Sequence, residues 1–328
     1  MSQTRKIRWL LDHEPVELFI RTAQAFNDQI KALTNGAFEV EMYTRDEYIA
    51  KRAAEEQNNR GVEFYDVLNF MQAGDIEMTQ LHVQTLGSWY CPDFFALELP
   101  FLFDTHEHAT RVLDGAIGKQ LLDKLAKDSP ATGLAFTYSG GYRVFASTTP
   151  VNTVEDFAGL TCLTGVNPVL VDTAKAFGLT PTPVFFAAKT RSEEEMKELY
   201  SKNNVLETTL PRYEAEAYKQ GQTYIADSAH SMYLTSIIVN NEFFATLTPA
   251  EQSAFREAAK NVAKLEREWS VDDAVTIAGD TDKHTRMGIT YTQLPEEEKN
   301  KLRRAAIKVQ DKYKTIFSSG LVDSIKNT

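Results

Sequence analysis

Arg143 is the charged residue whose sequence context best suits the binding of an anion. It follows a Ser-Gly-Gly-Tyr turn at residues 139–142 and precedes an apolar run at 144–146, so it is expected at the entry to a strand. A guanidinium can bind a carboxylate through two parallel hydrogen bonds. Most arginines are simply solvated, however, so the local sequence leaves both a ligand contact and an exposed strand end open.

Two aromatic positions are candidates for the wall of a binding pocket. Phe186 follows a proline-rich segment at residues 180–184, and Trp89 precedes Tyr90. Large aromatic side chains more often pack in a core than against a ligand, so either role is open for both.

Motifs for catalysis, metal binding or cofactor binding are not found. The sequence has no phosphate-binding glycine loop, no GxSxG elbow and no HExxH. His106 and His108 are two residues apart on a predicted helix, so we expect them to point to different faces and lie at the surface. The cysteines, Cys91 and Cys162, lack metal-binding spacing. We therefore expect no catalytic residue, no metal and no cofactor.

Net charge limits the partners that the chain can bind, and hydropathy shows whether a segment could span a membrane. The 328 residues carry a formal net charge of −11, which disfavours nucleic acid and means that an acidic ligand needs a local cation. No apolar run approaches the ~20 residues needed to cross a bilayer. The basic N-terminal segment has no apolar stretch after it, so the chain is either cytosolic or a mature form whose signal was removed.

The periodicity of apolar residues predicts an α/β fold. Alternation at 6–11 and 38–42 indicates strands, and the stripe between Phe19 and Leu33 indicates a helix, which together form a βαβ unit. Residues 67–71 are interpreted as a buried strand, and 133–138 and 142–147 as two further strands.

Helix signals occupy much of the remaining chain. A helix is predicted over residues 109–125, preceded by a capping pair at Asp104 and Glu107, and capping boxes open helices after Ser192 and Thr248. A last helix is predicted from about Pro295. No long linker separates these elements, so ordered segments must cross any boundary between domains.

The order of several short motifs resembles that of the solute receptors of tripartite ATP-independent periplasmic (TRAP) transporters, the dicarboxylate-receptor-like family. The resemblance covers nearly all of the chain and is carried by residues 34–40 (TNGAFEV), 73–77 (AGDIE), 97–103 (LELPFLF), 114–118 (DGAIG), 141–143 (GYR), 156–160 (DFAGL) and 177–184 (FGLTPTPV).

This resemblance implies a two-lobe, periplasmic-binding-protein-like fold with the ligand cleft between the lobes and long C-terminal helices. Lobe I is expected at residues 1–139 and 236–275, and lobe II at 140–235 and 276–328. It also implies a periplasmic receptor for a small organic acid, which a hinge encloses and which the small and large membrane subunits of the transporter then receive. Arg143 matches a carboxylate-binding arginine of the family, and Phe186 matches an aromatic that packs on the ligand.

Two positions depart from the family pattern. Leu163 stands where the principal selectivity arginine is expected, and Leu210 stands where a ligand-facing asparagine is expected. Losing the arginine removes a bidentate anchor for a carboxylate. By position, the side chains that can replace it are His13, Gln80, His82, Gln84, Trp89 and Tyr233.

These departures keep other functions open. One is a receptor for a neutral or zwitterionic solute, and another is a sensory or scaffold protein on the same fold. An enzyme in the same cleft would need a nucleophile–base pair or a metal cluster, and the sequence indicates neither.

Overall fold

The computed structural model of the chain describes residues 4–13, 16–56, 66–184, 192–217 and 221–328. The strands are β1 (Arg5–Leu11), β2 (Phe38–Thr44), β3 (Met78–His82), β4 (Ala131–Ser147), β5 (Thr161–Thr164), β6 (Thr180–Pro183), β7 (Val205–Thr209), β8 (Tyr224–Asp227), β9 (Met232–Asn240) and β10 (Thr290–Gln293).

Helices make up much of the remainder. They are α1 (Val16–Leu33), α2 (Arg45–Glu56), α3 (Asp66–Gln72), α4 (Val83–Trp89), α5 (His106–Asp114), α6 (Ala116–Asp128), α7 (Pro168–Ala176), α8 (Glu193–Ser201), α9 (Leu210–Arg212), α10 (Asn241–Ala245), α11 (Pro249–Gly279), α12 (Thr281–Met287), α13 (Glu296–Lys314) and α14 (Leu321–Lys326). Short 3₁₀ turns occupy Pro92–Glu98 and Val154–Phe157.

Strand β4 joins two parts of one long strand order, β2-β1-β3-β9-β4-β7-β5-β6. Its first part pairs with β9 as far as Tyr142 opposite Met232. From Arg143 onward it pairs instead with β7, where Arg143 is opposite Thr209, and with β8. We call the β1, β2, β3 and β9 side the first sheet, and the β5 to β8 and β10 side the second sheet. Arg143 therefore begins the second sheet.

A glycine pair produces the irregularity at this change of partner. Gly140 and Gly141 have φ values of 88° and 76°, in the left-handed region that glycine tolerates. A Cβ on Gly140 would also collide with the side chains of Thr209 and Pro211. The two strands predicted at 133–138 and 142–147 are thus one strand with a bulge between them.

Each sheet is covered by apolar helix faces. On the first sheet, Phe26 of α1 and Phe255 of α11 pack edge to face with ring centres 5.8 Å apart. Helix α13 contacts cores on both sides: Leu302 belongs to a cluster on the second sheet, and Tyr313 belongs to one on the first. The lobe boundaries stay a prediction. Because α13 contacts both cores, it matters for the assignment of residues 276–328 to a single lobe.

Several sequence predictions are confirmed. Strands β1 and β2 are parallel neighbours with Ile7 opposite Val40, and α1 lies between them in the chain. The capping boxes at Ser192 and Thr248 open α8 and α11. Helix α13 begins one residue after Pro295. The predicted α/β class is therefore correct.

Three local predictions are wrong. Residues 67–71 lie in helix α3, because Val67, Leu68 and Met71 are buried at helical rather than alternating spacing. The predicted 109–125 helix is broken at Gly115 into α5 and α6, and Thr105, not Asp104, caps α5.

His108 is the third of these errors. It is buried, not on the surface, and its Nε2 lies 2.8 Å from the carbonyl oxygen of Ile325 in α14. Helix periodicity cannot predict a contact between residues that are 217 positions apart in the sequence.

Among the described residues, no helix is long and apolar enough to cross a membrane.

Candidate functional site

Arg143 lies at the junction of the two sheets and is only 2% exposed. Its Nη2 donates a 2.7 Å hydrogen bond to Oε1 of Glu98, and its guanidinium carbon lies 3.8 Å from the centre of the Tyr233 ring. The backbone N–H donates to the carbonyl of Ser231 at 2.8 Å. The charge is therefore fixed in place from three directions and is not at an exposed strand end.

Glu98 ends the 3₁₀ turn at Pro92–Glu98 and is buried beside Arg143. Its other oxygen accepts a hydrogen bond from the side-chain amide of Asn167, whose Oδ1 caps helix α7 at Val169. Burial raises the pKa of Glu98, although Arg143 and Asn167 oppose that change. We call Glu98, Arg143 and Asn167 the arginine cluster.

A second buried carboxylate, Glu207 of β7, lies close enough to feel the same charge. It accepts hydrogen bonds from Thr164 and, at 3.0 Å, from His230. Burial acts to raise the pKa of Glu207, but Arg143 and His230 outweigh it and the pKa is lowered. Arg143 is thus balanced by two nearby acids.

Two imidazoles meet on the first-sheet side. His13 follows β1, His82 ends β3, and their ring centres are 3.4 Å apart. His82 Nε2 lies 3.0 Å from the hydroxyl of Tyr233. We call His13, His82 and Tyr233 the histidine cluster. Burial lowers the pKa of both histidines well below the usual value, and the charge of Arg212 lowers both further.

Three buried nitrogen atoms in these two clusters have no hydrogen-bond partner among the described residues. They are Nε of Arg143, Nε2 of His13 and Nδ1 of His82. Buried polar groups in proteins are nearly always hydrogen-bonded, so such a group of orphaned atoms is a sign of a binding site.

A cleft between the two sheets is lined by Arg143 and Tyr233, whereas His13 and His82 are not part of its lining. The free space in it is about 20 Å³, room for about one water molecule, so the two sides of the cleft lie close together in this structure. Tyr233 and Gln84 line it from the first-sheet side. The opposite lining consists of Arg143, Gly165, Tyr200, Leu206, Glu207, Thr208 and Arg212.

Gly165 brings the two sides of the cleft close together. A Cβ at this position would overlap the side-chain oxygen of Gln84, which extends from α4. The α4 side and the loop after β5 therefore meet across the cleft, an approach that only glycine allows here.

Other predicted site residues lie away from this lining. Gln80 bonds Thr137 and Thr235 inside the first sheet. Trp89 ends α4 and is 50% exposed.

Both departures from the family pattern are apolar core positions. Leu163 is fully buried and Leu210 nearly so, in one cluster on the second sheet. Phe186 lies outside the described residues.

The sequence did not point to Arg212, Glu98 or Glu207. Glu98 had a detectable signal, since it is an acid inside the otherwise apolar run 97–103. Arg212 follows Leu210 and Pro211, and its detectable signal was a cation two residues after a position that departs from the family pattern.

Ser228, His230 and Glu207 form a chain that resembles a nucleophile, a base and an acid. Ser228 Oγ lies 2.7 Å from His230 Nδ1, and His230 Nε2 lies 3.0 Å from Glu207. Neither Ser228 nor His230 has solvent exposure, and the His230 ring is stacked on Phe145 at 4.5 Å. With both side chains buried in this way, the chain of hydrogen bonds supports the fold around Glu207.

Comparison with known proteins identifies the family of the chain. A curated relative, the C4-dicarboxylate-binding periplasmic protein DctP of Rhodobacter capsulatus, is 26% identical over 271 residues, covering 80% of this chain and 74% of the relative. A TRAP periplasmic solute-binding protein from Polaromonas, bound to D-erythronate, has a TM-score of 0.80 at 22% identity, covering 99% of this chain and 98% of that one.

A second solved structure has the same fold. It is a TRAP periplasmic solute-binding protein from Xanthobacter autotrophicus with bound β-D-galacturonate, with a TM-score of 0.79 at 23% identity, covering 99% of this chain and all of that one. The two-lobe, periplasmic-binding-protein-like fold is thereby confirmed. The family model described as bacterial extracellular solute-binding protein, family 7, matches residues 14–316. The chain therefore belongs to family 7 of the bacterial extracellular solute-binding proteins.

Proposed function

We propose that this chain is the periplasmic receptor of a tripartite transporter and that it binds a small organic acid in the cleft between its sheets. The lobes close over the acid, and the closed receptor presents it to the membrane subunits. The protein acts by binding and release and is not an enzyme.

The observation that carries this proposal is the buried guanidinium of Arg143. It lines the cleft, is held by Glu98 and Tyr233, and has an Nε–H with no partner among the described residues. A carboxylate oxygen satisfies such a donor with a charge-assisted hydrogen bond.

The known relatives support an acid as the solute. The Rhodobacter capsulatus relative is named for C4-dicarboxylates, and the two structural neighbours hold D-erythronate and β-D-galacturonate. These ligands differ in size and hydroxylation but share a carboxylate.

The buried Ser228 supports a receptor rather than an enzyme. Its side chain has no solvent exposure, and neither has that of the neighbouring His230, which favours a structural role for this pair. The proposed hinge is the bulge at Gly140, where β4 changes from one sheet to the other. We propose that the two lobes separate on either side of this bulge.

Thermal unfolding in the presence of matched ligand pairs tests the proposal. D-erythronate is compared with erythritol, and D-gluconate with glucitol, so that each acid has a neutral analogue. A ligand at about 100 times its dissociation constant stabilises the folded protein by ~2.7 kcal/mol. We expect the acids to raise the melting temperature and the polyols to leave it unchanged.

Arg143→Lys is the informative variant, because it retains the charge and removes the fork of donors. Exposed Arg304 on α13 provides the matched control, as Arg304→Lys. The acid-dependent shift should shrink in the first variant and persist in the second. If polyols stabilise the protein as much as acids do, or if Arg143→Lys responds like the wild type, the proposal is wrong.

A further inference from the structure

A second pocket lies on the face of the sheet junction opposite to the cleft. Successive side chains of a strand point to opposite faces, and in β4 Tyr142 lines this pocket whereas Arg143 lines the cleft. The free volume is about 530 Å³, within the ~300–1,000 Å³ usual for small-molecule sites. We call it the reverse pocket, and its walls include Phe101, Asp104, Tyr142, Ala229, Lys299 and Arg303.

Both strand segments that cross between the sheets contribute to the reverse pocket. Tyr142 lies where β4 leaves β9 for β7 and β8, and Ala229 lies in the connection from β8 to β9. Among the described residues, three that are not glycine have a positive φ, and two of them, Phe101 at 51° and Ala229 at 47°, line this pocket. Strained backbone of this kind concentrates at binding sites and switch regions.

The charges of the reverse pocket have opposite signs on two of its walls. Asp104 precedes α5 and Glu107 lies in its first turn, whereas Lys299 and Arg303 lie one turn apart on α13. Arg303 is paired with Glu296, but no described residue forms an ion pair with Lys299 or with Asp104. A ligand with one positive and one negative group therefore has a counter-charge on each wall.

Aromatic rings add apolar surface to the same pocket. Phe101 and Tyr142 are both partly exposed there, and the guanidinium carbon of Arg303 lies 5.3 Å from the centre of the Phe101 ring. A small zwitterion with an apolar side chain matches this combination. Its ammonium group faces Asp104, its carboxylate faces Lys299, and its side chain packs on the rings.

The two charged walls belong to different sheets. Helix α5 buries Ala109 and Val112 in the core of the first sheet, whereas α13 beside Lys299 buries Leu302 and Ala306 in the core of the second. A ligand that contacts both walls therefore fixes the position of one sheet relative to the other. Because the cleft is nearly shut in this structure, with about 20 Å³ of free space, such a ligand favours the closed form.

A chain of hydrogen bonds also connects the reverse pocket with the cleft. Ser228 belongs to the wall of the reverse pocket, and its Oγ lies 2.7 Å from Nδ1 of His230. The other ring nitrogen of His230 lies 3.0 Å from Glu207, which lines the cleft. A shift of the strained backbone at Ala229 therefore acts on the groups that hold Glu207.

We propose that the reverse pocket is a second binding site, specific for a small zwitterion with an apolar side chain, and that its occupation strengthens binding of an acid in the cleft. The acid must then strengthen binding of the zwitterion by the same factor. This coupling rests on the proposed function, whereas binding of the zwitterion does not.

Isothermal titration calorimetry on the full chain tests the ligand class. The probes are L-leucine, N-acetyl-L-leucine, which lacks the positive charge, and L-leucinamide, which lacks the negative charge. We expect L-leucine to bind at least about tenfold more tightly than either analogue, because each analogue leaves one charged wall without a partner.

Charge-reversal variants locate the site. Lys299→Glu should weaken L-leucine binding by about tenfold or more, whereas Lys308→Glu, at an exposed position further along α13, should leave it unchanged. Arg143→Lys alters the cleft and should also retain L-leucine binding. Melting temperatures without ligand show that each variant is folded. Retained affinity in Lys299→Glu, or lost affinity in Arg143→Lys, would show that L-leucine does not bind in the reverse pocket.

The coupling is measured as the affinity for D-erythronate with and without saturating L-leucine. We expect at least about fivefold tighter binding with L-leucine present, and no such gain in Lys299→Glu. If L-leucine fails to bind, or binds no better than its two analogues, the second site is wrong. If both ligands bind and neither affects the other, the coupling is wrong. If L-leucine binds as expected but neither D-erythronate nor D-gluconate does, the proposed function fails while the second site stands.

Discussion

Arg143 and His82 both contact Tyr233, yet the hydrogen bonds around them differ. In the arginine cluster, charge is matched by charge: Arg143 meets Glu98, and Glu98 is held in turn by Asn167. In the histidine cluster the side chains are neutral, and two ring nitrogens have no partner among the described residues. The arginine cluster is therefore already organised by the protein, whereas the histidine cluster contains buried polar atoms that no described residue satisfies.

This difference suggests that the arginine cluster and the histidine cluster have different roles. A preorganised ion pair holds the arginine fork in one orientation, so little is lost in ordering it when a carboxylate arrives. The arginine cluster should therefore control stability and anion affinity, and the histidine cluster should control the pH dependence of stability.

The largest expected effect follows from breaking the arginine cluster. Glu98→Ala leaves Arg143 buried without its 2.7 Å partner, and loss of one partner of a buried ion pair costs about 3–5 kcal/mol. Urea unfolding should show this loss in the free energy of unfolding.

The control is the exposed carboxylate of Glu155, which pairs with Lys301 at the surface. Glu155→Ala should be close to the wild type in the same titration, because surface ion pairs contribute little. Equal stability of Glu98→Ala and the wild type would show that the arginine cluster is not the preorganised side.

The next effect is a dependence of stability on pH in the histidine cluster. The folded protein holds His13 and His82 neutral, whereas the unfolded chain protonates histidine near pH 6.5. The stability from neutral imidazoles is therefore complete above pH 6.5 and falls as the pH is lowered toward the folded pKa values.

His82→Gln isolates one of these groups. Between pH 6.5 and 5.5, the variant should lose about 1 kcal/mol less of its free energy of unfolding than the wild type, because one histidine no longer titrates. Denaturant titrations at the two pH values measure this difference. An identical loss in both proteins would mean that His82 is not held neutral by the fold.

The bulge between the two clusters should be sensitive to a single methyl group. Gly140→Ala places a Cβ at a φ of 88° and against Thr209 and Pro211, so we expect a loss of at least about 1–3 kcal/mol. Gly36→Ala is the matched control, because its φ is also positive but no atom lies within 4 Å of the added Cβ. If both glycines cost the same, the close packing at the bulge contributes nothing beyond backbone strain.

The smallest effect is expected at Trp89. It is half exposed at the end of α4 and does not line the cleft, so Trp89→Ala should change stability by no more than ~0.5 kcal/mol and leave acid affinity unchanged. Thermal unfolding with and without D-erythronate measures both. A lost ligand response would place Trp89 in the site after all.

Sequence patterns correctly predicted the elements that depend on interactions between residues close together in the chain. The βαβ start around α1 and the capping box of α11 follow from periodicity and from hydrogen bonds three residues apart. Residues 67–71 were misassigned because a short apolar run fits a buried strand and a buried helix equally well.

The site depends on contacts between distant segments, which explains why less of it was predicted. Arg143 was found because its residue type and turn context suggested a ligand contact. Glu98, 45 residues away, became meaningful only when the fold brought it to Arg143, and Arg212 only when the fold brought it to Tyr233. The resemblance to a family showed which arginine was missing at 163, but not which side chain takes its place.

A crystal structure with D-erythronate or the tightest-binding acid tests the central claim most directly. The account predicts a carboxylate oxygen within hydrogen-bond distance of Arg143. An acid bound elsewhere, or one in the cleft with its carboxylate directed away from Arg143, would contradict it.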